Sequence, residues 1–271
     1  MRALIASPLG FLIGVSLGAL GGGGSILAVP ALVYVAGQGA KSATSSSLLV
    51  VGASALAGMV AHWRAGHVRV GAGLLFGAVG VGGSLLGTHL NRLVDPNALL
   101  LGFSGLMYLA AWRMWSGGRR RTTAAAPADT PAPGRGGVLA SSLVERIDLA
   151  LVGKVIVAGT AVGFLTGLFG VGGGFVIVPA LVLALRLEMP VAVGTSLLVI
   201  AVNSAFALVG RAGQASIDWS VALPFTVAAL AGAGVGYRVA GRLHAAMLVR
   251  WFVALLLMVA TYTAVRSAVA L

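Results

Sequence analysis

Long apolar stretches, each closed by a short polar or charged turn, make up almost the whole chain. They run over residues 3–20 with 25–37, then 43–62, 70–90 and 97–115. After an interruption they resume over 151–169 with 175–187, then 191–210, 219–240 and 246–266. Apart from the first of each series, each is about the 20 residues needed to cross a bilayer as a helix. The pattern predicts an all-α polytopic membrane protein.

The first stretch of each series is too long for one ordinary span. Residues 3–37 as a continuous helix would measure about 52 Å, against a hydrocarbon core of about 30 Å. A run of four glycines, Gly21 to Gly24, falls in its middle. Such a run has poor helix propensity and no side chains to shield its backbone, so the helix is expected to break there. Unwound backbone at membrane depth is tolerated only inside protein or against a wet cavity, so the break should not face lipid.

The second series repeats the first. Gly14 to Val60 lies on Gly163 to Val209 without a gap at an offset of 149, with 16 of 47 positions identical. So biased a composition gives roughly five by chance, so an internal duplication is inferred. The first copy reads Gly21-Gly-Gly-Gly-Ser-Ile-Leu-Ala-Val-Pro30 and the second Gly170-Val-Gly-Gly-Gly-Phe-Val-Ile-Val-Pro179. The expected organisation is a first transmembrane repeat over 1–115, a linker over 116–148 and a second repeat over 149–271. If each broken segment crosses the membrane, a half has four spans and the halves are parallel. If it turns back, a half has three and the halves are inverted. The distribution of basic residues does not separate the two; about four helices per repeat, the first of them broken, is the expectation adopted.

Composition sharpens this picture. The chain is 59% hydrophobic and 9% charged, with a mean hydropathy of +1.03. Soluble domains carry about a quarter charged residues. The net charge of +12 does not point to nucleic acid, because the arginines stand between apolar segments and gather in the Pro-, Ala- and Gly-rich linker. That distribution follows the positive-inside rule and places the linker in the cytoplasm. The chain has no cysteine, which excludes disulfides and thiolate chemistry. Met1-Arg2 and the apolar run after it imitate a signal peptide, but Gly14 onward matches a mid-chain segment, so this start is read as part of the mature fold.

Three features could carry chemistry. The glycine breaks come first: Gly22, Gly23, Gly24 and Ser25, with Gly172, Gly173 and Gly174. A helix restarting after each would present free N–H groups and the positive end of its dipole, an anion site. Small residues also serve close helix packing, which suffices for Gly14, Gly18, Gly163 and Gly167. Hydroxyls come second: Thr44, Ser45, Ser46 and Ser47 in the first copy, Thr195 and Ser196 in the second. They can cap a helix start, and they can also hold an oxyanion without fixing a charge in the membrane. Ser54 and its counterpart Asn203 come third, at a depth where an amide faces a partner or the pore.

Charged candidates are few. Lys41 and Arg186 do not align with each other. His62 and Arg64-Ala-Gly66 close one segment, and Arg211-Ala-Gly213 another; boundary arginines ordinarily snorkel to headgroups. His89 falls inside an expected span and could titrate near neutrality. Glu188 and Asp218 stand at segment ends. No metal site or cofactor is expected.

The two Gly-rich motifs, each followed by Pro and then by a Thr/Ser-rich helix start, resemble the TauE/SafE sulfite exporter family, also called the toluene sulfonate uptake permease family. The resemblance covers both halves apart from the linker. It implies a multi-pass bacterial inner-membrane carrier, not an enzyme, for small sulfur-containing anions such as sulfite, thiosulfate, sulfonates or sulfoacetate, with coupling to protons. The lipid bilayer and the anion are the partners implied, and a homodimer is the candidate assembly. The first copy departs from the second where Lys41-Ser-Ala-Thr-Ser-Ser stands for Pro190-Val-Ala-Val-Gly-Thr, so the halves can contribute unequally. The mechanism expected is alternating access, with the two breaks meeting between the halves. An anion channel, or a carrier of another small organic anion, is the alternative. An intramembrane serine protease fails because the second copy has Gly174 where the first has Ser25, and no His is placed to act as its base.

Overall fold

The computed structural model describes residues 2–91, 93, 96–123, 149–169, 174–210 and 217–269. Gly172, Gly173, Arg211 and Gly213 lie outside them, as does most of the linker. Among the described residues the chain is helices joined by short turns, with no strand. Helix α1 spans Arg2–Leu20, a 3₁₀ turn Gly21–Gly24, α2 Ser25–Pro30 and a π-helical turn Ala31–Val35. Then come α3 (Ala40–Arg64), α4 (Val70–Asn91), α5 (Pro96–Thr123), α6 (Leu149–Phe169), α7 (Gly174–Leu183), α8 (Met189–Gly210), α9 (Trp219–Arg242) and α10 (Ala245–Val269). Helix α5 continues past residue 116 to Thr123, carrying Arg119 to Arg121 on helix rather than coil.

Among the described residues five helices are long and apolar enough to cross a membrane: Ser42–Arg64, Val70–Leu90, Met189–Val209, Trp219–Arg242 and Ala245–Val265. The outward surface is apolar as well. Val157 is 71% exposed, Leu85 70% and Phe206 65%, with Trp112, Val227 and Met258 also exposed. A surface so rich in large apolar side chains belongs against lipid tails. This is a multi-pass membrane protein.

Between helices in lipid there is little hydrophobic drive, so association rests on close packing of small residues. Two pairings show this. Gly10, Gly14 and Gly18 of α1 lie against Phe225, Ala229 and Ala233 of α9. Gly159, Gly163 and Gly167 of α6 lie against Phe76, Gly80 and Ser84 of α4. A Cβ at Gly14, Gly18, Gly163 or Gly167 would strike a backbone carbonyl of the partner helix, so these four glycines serve close approach. The first helix of each half therefore packs along the third long helix of the other half, in parallel. Helices α5 and α10 pair across the halves too, and the Tyr108 and Thr261 hydroxyls meet at 2.8 Å.

These contacts also fix directions. Gly73 and Gly77 of α4 face Thr195 and Leu198, then Val199 and Asn203, of α8, so α4 and α8 are parallel. Since α6 is also parallel to α4, α6 and α8 run the same way although only about 20 residues separate them. Helix α7 between them runs back: Gly174 lies beside Ile200, and Val178 beside Gly21, which itself touches Val193 and Ser196. In the first half, Gly24 folds back onto Ile13 and Leu17 of α1. The broken segment thus turns back in both halves, in place of the continued crossing expected above. Counterpart helices α3 and α8 pack antiparallel, with Gly52 opposite Ser204 and Gly58 opposite Leu197.

Candidate functional site

The reversal is made by four residues. Gly21 takes φ +72°, a left-handed conformation that residues with a Cβ rarely adopt. A Cβ there would also lie 2.5 Å from Ser196 Oγ and 3.1 Å from Val178. The expected unwound stretch is a tight helical turn, with Gly24 at φ −69° and ψ −24°. The Ser25 backbone N–H and hydroxyl both donate to the Gly22 carbonyl, the hydroxyl at 2.7 Å. Helix α2 is only six residues long, and its first amide is already spent within the turn.

The two glycine motifs meet. A Cβ on Gly22 would fall on the Gly174 carbonyl, and one on Gly174 would lie 2.5 Å from Ser25 Oγ and 3.1 Å from the Gly22 oxygen. Gly22 and Gly174 therefore meet backbone to backbone, with the Ser25 hydroxyl beside them. Gly23 and Gly24 belong to the same turn, and a Cβ on Gly24 would lie 2.6 Å from Ile13 O.

The two hydroxyl clusters, in contrast, are kept apart. Thr195 and Ser196 stand beside Gly21 at the start of α8, both buried. The Thr195 hydroxyl accepts from the Arg69 N–H at 3.1 Å, and that of Ser196 donates to Val193 O at 2.8 Å. Thr44 to Ser47 lie at the other end of the antiparallel α3–α8 pair. Eleven residues of α3, roughly 16 Å of helix, separate Ser47 from Gly58, which faces Leu197 beside Ser196. Ser47 donates to Thr44 O at 2.8 Å, and Thr44 and Ser45 also have partners. Ser46 Oγ is fully buried without a hydrogen-bond partner, and so is Ser54 Oγ. Most buried polar atoms are paired, so these two hydroxyls are conspicuous.

Asn203 opens onto a cavity of about 310 Å³ bounded by α3, α4, α6, α7 and α8. Its Oδ1 is buried, unpartnered and faces Gly77. Ser84, Thr166 and Ser204 add hydroxyls to a wall otherwise built from residues such as Phe76, Val162 and Ile177. Sequence reasoning missed Ser84 and Thr166. The signal for Thr166 was available, because it stands where the first copy has Leu17, a polar residue in one copy against an apolar one in the other.

The charged candidates are placed as follows. His89 is exposed near the end of α4, and so is Arg64 at the end of α3. Asp218 caps α9 by accepting from the Ser220 N–H at 3.1 Å and hydroxyl at 2.6 Å. Arg186 has a partner and a φ of 54° in the turn after α7. His62, given little weight by sequence, is buried beside the first break, its Nε2 3.2 Å from Gly18 O.

The family model described as Sulfite exporter TauE/SafE matches residues 6–263. A "Probable membrane transporter protein" of Xylella fastidiosa (strain 9a5c) is 36% identical over 261 residues, covering 95% of this chain and 93% of its own. The "Probable membrane transporter protein YunE" of Bacillus subtilis (strain 168) is 28% identical over 242 residues, covering 86% and 84%. YdhB of the same organism, with the same description, is 24% identical over 230 residues, covering 83% and 85%. No solved structure matches the chain.

Proposed function

The chain belongs to the sulfite exporter TauE/SafE family of membrane transporters, and from that premise we propose that it is a secondary carrier of small sulfur-containing anions. Its substrates are sulfite, thiosulfate, sulfonates or sulfoacetate, and it works by alternating access in the bacterial inner membrane, coupled to protons. The observation that carries this reading is the Gly22–Gly174 junction, where the turned-back segments of the two halves touch backbone to backbone beside the Ser25 hydroxyl. Broken helices meeting between repeats are where carriers hold their substrates.

In this mechanism the hydroxyls serve the two faces in turn. Thr195 and Ser196 beside Gly21 act on one side of the junction, and Thr44 to Ser47 at the opposite end of α3 act on the other. Neutral donors suit an oxyanion, and the net positive charge of the chain disfavours a cation. The cavity at Asn203, Ser204, Ser84 and Thr166 gives the substrate a way in from one half, and the halves rock about the α3–α8 crossing.

Reconstituted vesicles test this reading. A carrier gives saturable uptake of labelled sulfite, thiosulfate or sulfoacetate and counterflow against an unlabelled pool. Current that rises without saturation, and without counterflow, would identify a channel and overturn the proposal.

A further inference from the structure

His62 is a buried titratable side chain, 3% exposed. It lies on the last turn of α3, and its Nε2 is 3.2 Å from the carbonyl oxygen of Gly18. In an unbroken helix that carbonyl would receive the N–H of residue 22, but α1 ends at Leu20 and leaves its last carbonyls without helical partners. A carbonyl only accepts, so Nε2 carries the hydrogen and Nδ1 presents a lone pair. That Nδ1 is buried and has no hydrogen-bond partner.

Among the described residues, two titratable groups face the ring. Tyr237 of α9 stands edge-on with ring centroids 5.0 Å apart, and His67, in the loop after α3, is at 6.1 Å. Helix α1 presents the Gly18 carbonyl, and α8 the backbone of Gly194, where a Cβ would lie 3.0 Å from His62 Cβ. Gly194 precedes Thr195 and Ser196, and Ser196 touches Gly21. The imidazole therefore stands within the shell of the first break.

We propose that His62 is the proton-coupling residue of this carrier, Nδ1 taking up one proton together with the anion and releasing it with the anion on the other face. This rests on the carrier reading above. The step moves a proton only: water at one face gives it to the Nδ1 lone pair, and the same nitrogen returns it to water at the other. Nε2 keeps its bond to Gly18 throughout. An imidazolium is unfavourable in so buried a place, and so is a lone anion, but each offsets the other. The carbonyl end of α1 adds a local field that favours the cation. Proton and anion thus enter the occupied state together.

The test is uptake of labelled thiosulfate or sulfoacetate by proteoliposomes holding the full chain. Wild type should accumulate the anion only under an inward proton gradient, with a KM that rises as pH rises from about 5.5 to 8.5, across the range where imidazole titrates. H62Q keeps an N–H for Gly18 but has no site for a second proton. It should lose gradient-driven accumulation at least tenfold and show a raised KM independent of pH. Its counterflow at saturating anion should stay within about threefold of wild type. H67Q should behave as wild type. Gradient-driven accumulation retained in H62Q overturns the proposal, and so does loss of its counterflow at saturation, which would mark a purely structural bond. If H62Q cannot be recovered folded, wild type decides alone: accumulation indifferent to the pH gradient, with counterflow intact, sinks the coupling role and spares the carrier. Absence of saturable counterflow for any probe removes both.

Discussion

Gly22 lies with its backbone against the carbonyl of Gly174, so that a side chain at position 22 would occupy the place of that oxygen. Gly22→Val must therefore separate the two turned-back segments. Overpacking of this kind costs about 1–3 kcal/mol or more, and about 1.4 kcal/mol at a rate-determining step is already tenfold. Anion uptake by Gly22→Val should fall at least tenfold per folded molecule, counted by size-exclusion fluorescence. Gly39→Ala, where a Cβ meets nothing within 4 Å, should keep uptake within about twofold in the same assay. Equal rates for both variants would remove the junction from the mechanism.

The packing of α4 on α6 makes an asymmetric prediction. A Cβ on Gly163 would collide with the Gly80 carbonyl, whereas one on Gly80 finds its nearest atom at 3.5 Å, an ordinary contact. Gly163→Ala should lower the apparent melting temperature in detergent by several degrees, for a cost of about 1–3 kcal/mol. Gly80→Ala should stay close to wild type. A reversed order would contradict the described helix pairing.

The unpartnered hydroxyl of Ser46 separates a structural role from a binding one. Ser46→Ala removes no hydrogen bond, so stability should hold or rise by a few tenths of a kcal/mol. Ser196→Ala removes the bond to Val193 O and should cost about 0.5–1.5 kcal/mol. If Ser46 serves the anion, its variant loses uptake without losing stability. Wild-type KM and Vmax in Ser46→Ala would exclude it from the path.

Asn203 can be tested through charge. Asn203→Asp places a carboxylate of nearly the same shape in the cavity wall, where it should raise the KM for thiosulfate about tenfold or more by repulsion. Asn203→Ser, the counterpart residue Ser54 transplanted into the second copy, should shift it far less. Concentration series at fixed pH read both.

Much of the architecture was legible in the sequence, because apolar runs of bilayer length and twin glycine motifs are local signals. The return of each broken segment was not. Whether a chain continues or reverses after Leu20 depends on Gly21 adopting φ +72° against Val193, Ser196 and Val178, contacts more than 150 residues away that no window of sequence contains. The same reversal explains the hydroxyls: inverted halves send Thr44 to Ser47 and Thr195 to Ser196 to opposite ends of α3 and α8, where parallel halves would have brought them together. His62 and His89 were both passed over because position along a span does not reveal which side faces protein. His89 faces outward, and His62 turns inward onto Gly18.

The exchange of α1 onto α9 carries a consequence for biogenesis. Helix α1 leaves the ribosome long before α9, yet the glycine face of Gly10, Gly14 and Gly18 finds its partner only when Phe225 to Ala233 have been synthesised. Until then α1 waits in the membrane without its mate, and neither half made alone could reproduce its contacts. Co-expressing the halves as separate polypeptides should therefore rescue assembly that each fails to achieve singly.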